Sequence, residues 1–219
     1  MFAAWEAGVW KALAGHIQPD LIVGASAGAW NGWVVAGGAS PDELIQDWLD
    51  GSLAEITIFH GARLRAKARE LAERRPAMPF GLTVVEARTL RPRLICNSEI
   101  EWAHLAATCA IPGVFPAMRI NGRYYLDGGL VGALPLWAAE EMGANCAIGI
   151  NCLNGPFFRM LRAGLPVREP TAKLRVTELA PSRRLGSLKD ALYWSHRNVE
   201  RWIGLGEADG KRALSSITI

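Results

Sequence analysis

The segment Leu21-Ile22-Val23-Gly24-Ala25-Ser26-Ala27-Gly28 constrains this chain more than any other stretch. Its apolar start reads as a short buried strand, and the small side chains that follow, to about Ala36, read as a helix. Between the two there is room for only one sharp turn. Gly24 and Gly28 flank Ser26, and two positions without Cβ atoms let a strand pass straight into a helix with the serine at the apex. The helix N-terminus beneath that serine offers N–H groups and a positive dipole end to developing negative charge. A tight turn whose serine merely caps the helix fits the same pattern.

Around this turn the chain alternates between helical and extended patterns. Phe2, Trp5, Val9 and Leu13 recur at helical spacing, and Ser40-Pro41-Asp42-Glu43 carries a capping box with proline at the first helical position. Residues 62–75 predict a basic amphipathic helix. Phe80–Ala87 and Arg93–Cys96 predict strands, and Ser98-Glu99-Ile100-Glu101 is expected to open a helix that Ile111-Pro112-Gly113 closes. Asn121-Gly122 predicts a tight hairpin within 118–126. Pro135 begins a helix to about Met142, 147–150 is a buried strand, and a last helix is expected over about 188–203. The segment 154–186, broken by four prolines, is expected to be irregular. Strands separated by helices indicate an α/β three-layer sandwich, a central sheet flanked by helices, forming a single domain over residues 1–219.

Composition narrows the function. Of the 219 residues half are hydrophobic, and 24 Lys and Arg against 21 Asp and Glu leave a net charge of +3. That is too small a charge to imply a nucleic acid partner. Cys96, Cys109, Cys146 and Cys152 have no metal-site spacing and read as reduced, buried side chains, which points to the cytoplasm. The start Met1-Phe2-Ala3-Ala4-Trp5-Glu6 lacks the basic opening of a signal peptide. The charge-free run from Leu21 to Pro41 holds too many glycines and polar residues to read as a membrane span.

A serine hydroxyl needs a base to become a nucleophile. His16, His60, His104 and His196 fall in a turn, a linker and two helices, poor places for a triad member. The other candidate is Asp127 in Tyr124-Tyr125-Leu126-Asp127-Gly128-Gly129-Leu130, at the end of an apolar strand with two glycines beyond it. An ordinary Asp-Gly turn accounts for that motif equally well.

Taken together, Gly24-Ala25-Ser26-Ala27-Gly28, then Ala107-Thr108-Cys109-Ala110-Ile111-Pro112-Gly113-Val114-Phe115-Pro116, then Gly122-Arg123-Tyr124-Tyr125-Leu126-Asp127-Gly128-Gly129 resemble the patatin-like phospholipase family. The resemblance runs in order through about residue 153. It implies a Ser26–Asp127 dyad without histidine that hydrolyses acyl esters of lipids through an acyl-enzyme, with no cofactor or metal. Gly8-Val9-Trp10-Lys11-Ala12-Leu13 matches the helix that in the family follows a first strand and a glycine-rich oxyanion loop. By that alignment both are missing from this chain, leaving the backbone N–H of Ala27 as the oxyanion donor. The resemblance therefore carries two expectations: a lipid acyl hydrolase, or a protein that keeps the fold for binding while its catalysis is impaired.

Three further features bear on partners. The cations of 62–75 suit either a solvated helix face or contact with anionic headgroups at a membrane surface. Phe157, Phe158, Met160, Leu161 and Leu165 suit a lipid-contacting lid or a loop anchored on the core. Among the 9 tryptophans, Trp30 and Trp33 lie close enough to the serine turn to line an acyl pocket.

Overall fold

The computed structural model describes residues 1–56, 61–154, 165 and 167–217. The helices are α1 (Ala3–Leu13), α2 (Ser26–Ala36), α3 (Pro41–Leu49), α4 (Gly61–Glu73), α5 (Trp102–Ala107), α6 (Leu136–Glu141), α7 (Leu188–Leu192) and α8 (His196–Ala213). The strands are β1 (Ile22–Ala25), β2 (Phe80–Glu86), β3 (Arg91–Cys96), β4 (Met118–Ile120), β5 (Arg123–Asp127), β6 (Cys146–Ile150) and β7 (Arg175–Leu179).

β2 is the spine of the main sheet. Its residues from Phe80 to Val85 are all buried, so both faces of the strand are covered, as its nearly unbroken apolar sequence requires. Phe80 meets the Trp33 ring of α2 edge-on at 5.4 Å. The next residue, Gly81, faces the opposite side, where Met142, at the end of α6, leaves no space for a Cβ. Helices thus flank a mixed sheet, as the sequence predicts.

One edge of β2 pairs antiparallel with β3 along its length. The other edge is divided. β1 runs parallel to its first half, from Ile22 opposite Phe80 to Ala25 opposite Thr83, and β5 runs antiparallel to its second half, ending with Asp127 opposite Val84. Two strands therefore end head to head on one edge of a third. β4 pairs with β5 through the expected Asn121-Gly122 hairpin, where both residues have positive φ (48° and 79°). β6 and β7 form a separate parallel pair.

Below the sheet, α1 and α8 approach closely enough that a Cβ on Gly8 would lie 2.1 Å from the Ile203 carbonyl oxygen, and one on Gly206 would lie 2.0 Å from that of Trp5. Trp5 and Trp202 lock this layer while keeping their N–H groups satisfied. Trp5 donates to Asp209 at 2.8 Å and Trp202 to the Leu185 carbonyl at 2.8 Å. Ser40 and Glu43 close the predicted capping box on α3.

Three sequence expectations need correction. The segment 154–186 contains β7, which was hidden because a five-residue strand between proline-broken stretches offers little periodicity. The expected final helix is two, α7 and the longer α8, separated at Tyr193–Ser195. α5 begins at Trp102 under a cap from Glu101, while Ser98 and Glu99 sit in a short 3-10 turn before it.

Candidate active site

Ser26 stands at the junction of β1 and α2 with φ 55°, a left-handed conformation that costs a non-glycine residue on the order of 1–2 kcal/mol. The neighbouring residues sustain it. A Cβ at Gly24 would lie 2.5 Å from the Ala29 Cα, so the turn is too tight for any other residue there. The Ser26 backbone N–H donates to Thr108 Oγ1 at 2.9 Å, and that hydroxyl donates onward to the Thr83 carbonyl at 2.8 Å. A threonine after α5 thus ties the serine turn to the spine strand, a role sequence reasoning did not assign.

The head-to-head ends of β1 and β5 bring the two candidate residues together. Ser26 Oγ donates to Asp127 Oδ2 at 2.7 Å, across 101 positions of sequence. Asp127 is 5% exposed. Its other oxygen accepts from the Gly129 N–H at 2.7 Å, which fixes the carboxyl plane. Gly128 fits because its Cα passes the Thr83 carbonyl, where a Cβ would lie at 2.1 Å, and Gly129 leaves room for the aspartate side chain beside it. Burial pushes the Asp127 pKa up to about 7, against the lowering effect of the Ser26 and Gly129 hydrogen bonds. A carboxylate poised there takes a proton far more readily than an exposed one. Cys109, also buried, lies against the pair and its thiol is held well above its usual range by desolvation and by the Asp127 charge.

Gly28, in the first turn of α2, faces the Glu6 carboxyl: a Cβ there would sit 3.1 Å from Oε2. Ala27 is the residue after the serine, among the first-turn N–H groups that no intrahelical carbonyl reaches.

The described histidines lie elsewhere. His104 is buried on α5 and its Nδ1 accepts from the Glu101 N–H at 3.1 Å, His196 pairs with Glu200 on α8, and His16 is exposed. His60 is outside the described residues. Trp30 and Trp33 are buried core anchors, donating to the Leu105 and Leu71 carbonyls, both at 2.7 Å. On α4, Arg63 pairs with Glu55 and Lys67 with Glu70, Arg69 lies 4.0 Å over the Trp102 ring, and Arg74, just beyond the helix, pairs with Asp47. Such paired cations describe a solvated helix face. The expected lid residues Phe157, Phe158, Met160 and Leu161 lie outside the described residues. Among the described residues, no three His, Cys, Asp or Glu side chains gather in metal-binding fashion, and no helix is long and apolar enough to cross a membrane.

Comparison with known proteins gives the class first. The architecture is that of a layered α/β protein whose fold is similar to the crystal structure of VipD from Legionella pneumophila, with a TM-score of 0.57 and 10% sequence identity. The match covers 98% of this chain and 65% of the VipD chain, so this chain spans less than two thirds of that protein. A scan of family models then matches Patatin, the patatin-like phospholipase family, over residues 1–94 and 81–140. With more than half of its length matched, the chain belongs to the patatin-like phospholipase family.

Proposed function

We propose that this protein hydrolyses carboxylic esters of lipids, with Ser26 as nucleophile and Asp127 as its base. The observation that carries the reading is the 2.7 Å hydrogen bond from Ser26 Oγ to a buried carboxyl with a pKa of about 7. In this reading the ionised Asp127 takes the hydroxyl proton as Oγ attacks the ester carbonyl. The tetrahedral oxyanion collapses, the departing alkoxide takes the proton from Asp127, and the acyl group stays on Ser26. Water then attacks the acyl-enzyme and gives its proton to the same carboxylate; the second tetrahedral intermediate collapses, releasing the fatty acid, and Asp127 returns the proton to the departing Ser26 Oγ. Ala27 N–H is the candidate oxyanion donor, because the Ser26 N–H is already engaged by Thr108. Contact with a membrane surface would follow from a lipid substrate.

A second reading, a fold-retaining binding protein with impaired catalysis, draws support from that same engagement of the Ser26 amide, which leaves few donors for an oxyanion. A fluorophosphonate probe separates the two. The hydrolase reading expects covalent labelling at Ser26 that Ser26→Ala abolishes and that rises with pH through about 7. A folded chain that resists the probe across that range overturns the hydrolase reading.

A further inference from the structure

Two hairpin turns project from one end of the main sheet. β2 passes into β3 through 87–90, and β4 passes into β5 through 121–122. The Ala87 N–H donates to the Tyr124 carbonyl at 2.8 Å, which holds the turns side by side. In the order β3, β2, β5, β4 this end is about 14 Å wide. Arg88 in the first turn, Arg91 and Arg93 on β3, Arg119 on β4 and Arg123 on β5 all stand exposed on it.

Almost nothing answers their charge. No Asp or Glu falls within 87–98 or 102–126. Among the described residues only Glu86 pairs with any of the five arginines, and it is shared, with Arg123 at 3.5 Å and Arg93 at 3.7 Å. On α4, by contrast, Arg63 and Lys67 each have a carboxylate of their own. Five cations against one carboxylate exceed the +3 that the whole chain carries net, so this corner concentrates the positive charge of the molecule.

Two apolar side chains stand among these cations. Tyr124 is 54% exposed and Leu90 36%. Leu90 closes its turn at φ 52°, in the left-handed region where glycine or asparagine costs less. A turn that served only to join β2 to β3 gains nothing from a leucine there. Apolar tips ringed by arginines match a surface whose outer layer is anionic and whose next layer is hydrocarbon. A nucleic acid backbone would satisfy the arginines and offer nothing to Leu90. β5 links this end to the candidate site, since Arg123 and Asp127 lie four residues apart on one face of the strand. That is about 13 Å, comparable to the ~15 Å half-thickness of a bilayer's hydrocarbon core.

We propose that the paired turns form a docking surface for anionic lipid bilayers, with the arginines on headgroup phosphates and Leu90 and Tyr124 in the interface. The inference deepens the lipid-hydrolase reading and rests on it for the choice of a membrane as partner. Binding itself does not need a working Ser26.

The test is co-sedimentation of the full chain carrying Ser26→Ala with phosphatidylcholine vesicles, with and without phosphatidylglycerol. The expected result is binding to the anionic vesicles and not to the neutral ones. One arginine near such a surface contributes about fivefold, so Arg88→Gln, Arg91→Gln and Arg119→Gln together should weaken binding on the order of a hundredfold. The charge-matched set Arg183→Gln, Lys189→Gln and Arg197→Gln, around α7 and α8, should stay within about threefold. Leu90→Asn should lower vesicle binding while raising the urea midpoint, because asparagine relieves the left-handed strain. The proposal is overturned by absent binding to anionic vesicles, by equal losses in the two triple variants, or by unchanged binding of Leu90→Asn. Tighter binding of a single-stranded oligonucleotide or of polyglutamate, lost with the same arginines, also overturns it. Vesicle binding without fluorophosphonate labelling of the native serine supports the surface and removes the hydrolase reading, while labelling without vesicle binding does the reverse.

Discussion

Two carboxyls, buried Asp127 and half-buried Glu6, are both pushed by desolvation to a pKa of about 7, yet their surroundings differ in kind. Asp127 reaches a hydroxyl: one oxygen takes the Ser26 proton donor, the other a backbone N–H. Glu6 reaches a framework. Its Oε2 accepts from Asn31 at 3.3 Å, the Cys152 thiol bonds to it, and Asn31 also holds the Ala3 carbonyl and the Trp48 indole. Under the proposed dyad the same electrostatic displacement serves proton transfer in one place, and in the other the carboxyl joins α1, α2 and α3. A raised pKa marks burial; the partner decides what burial is for.

The contrast breaks most visibly in rate. Asp127→Asn should lower ester hydrolysis by about 10²–10⁴-fold and erase the rise through pH 7, whereas Glu6→Gln should keep that midpoint; initial rates across pH 5–9 check both. The next largest effect concerns the glycines beside each carboxyl. Gly128→Ala drives a methyl to 2.1 Å from the rigid Thr83 carbonyl and should cost about 3 kcal/mol or more, while Gly28→Ala meets only the movable end of Glu6 at 3.1 Å and should cost about 1 kcal/mol. Urea unfolding reads the difference.

Stability against pH sharpens the comparison further. Both carboxyls hold their protons more tightly folded than unfolded, so between about pH 4 and 7 the native state binds more protons. The stability this contributes is complete below about pH 4 and is lost as the pH rises through 7. Glu6→Gln should therefore gain relative to the native sequence at pH 8 and not at pH 4, by no more than about 2 kcal/mol because Glu6 is only half-buried. The smallest effect is expected at the far end of the framework. Trp48→Phe leaves Asn31 Oδ1 without its donor and should cost about 1 kcal/mol with unchanged hydrolysis.

What the sequence made legible was local. The serine turn, the capping box at Ser40 and the Asn121-Gly122 hairpin each announce themselves within a few residues, and each stands in the structure as expected. The layered α/β class followed from their order. What stayed hidden depends on distant pairing. Nothing near Glu6 signals that Asn31 and Trp48 will surround it, and β7 acquires its pattern only beside β6. Thr108 belonged to a matched motif, but its hydroxyl relay to Ser26 and Thr83 needed the sheet register to become visible. Trp30 and Trp33 stand one and two helical turns beyond Ser26, and only the structure shows that the Leu105 and Leu71 carbonyls fix their indoles in the core.

The divided edge of β2 has one further consequence. β1 stops at Thr83 and β5 stops at Val84, so adjacent positions on a third strand set the gap between hydroxyl and carboxylate. A slip of one residue in either pairing shifts that gap by about 3.3 Å and turns the slipped side chain to the other face. β2 therefore works as a ruler. A chain caught partway through folding, with either strand unpaired or out of step, carries a plain serine and a solvated aspartate. If Ser26 and Asp127 form the proposed dyad, the pair comes into being only as the last alignment is made, and chemical competence then reports that assembly has finished.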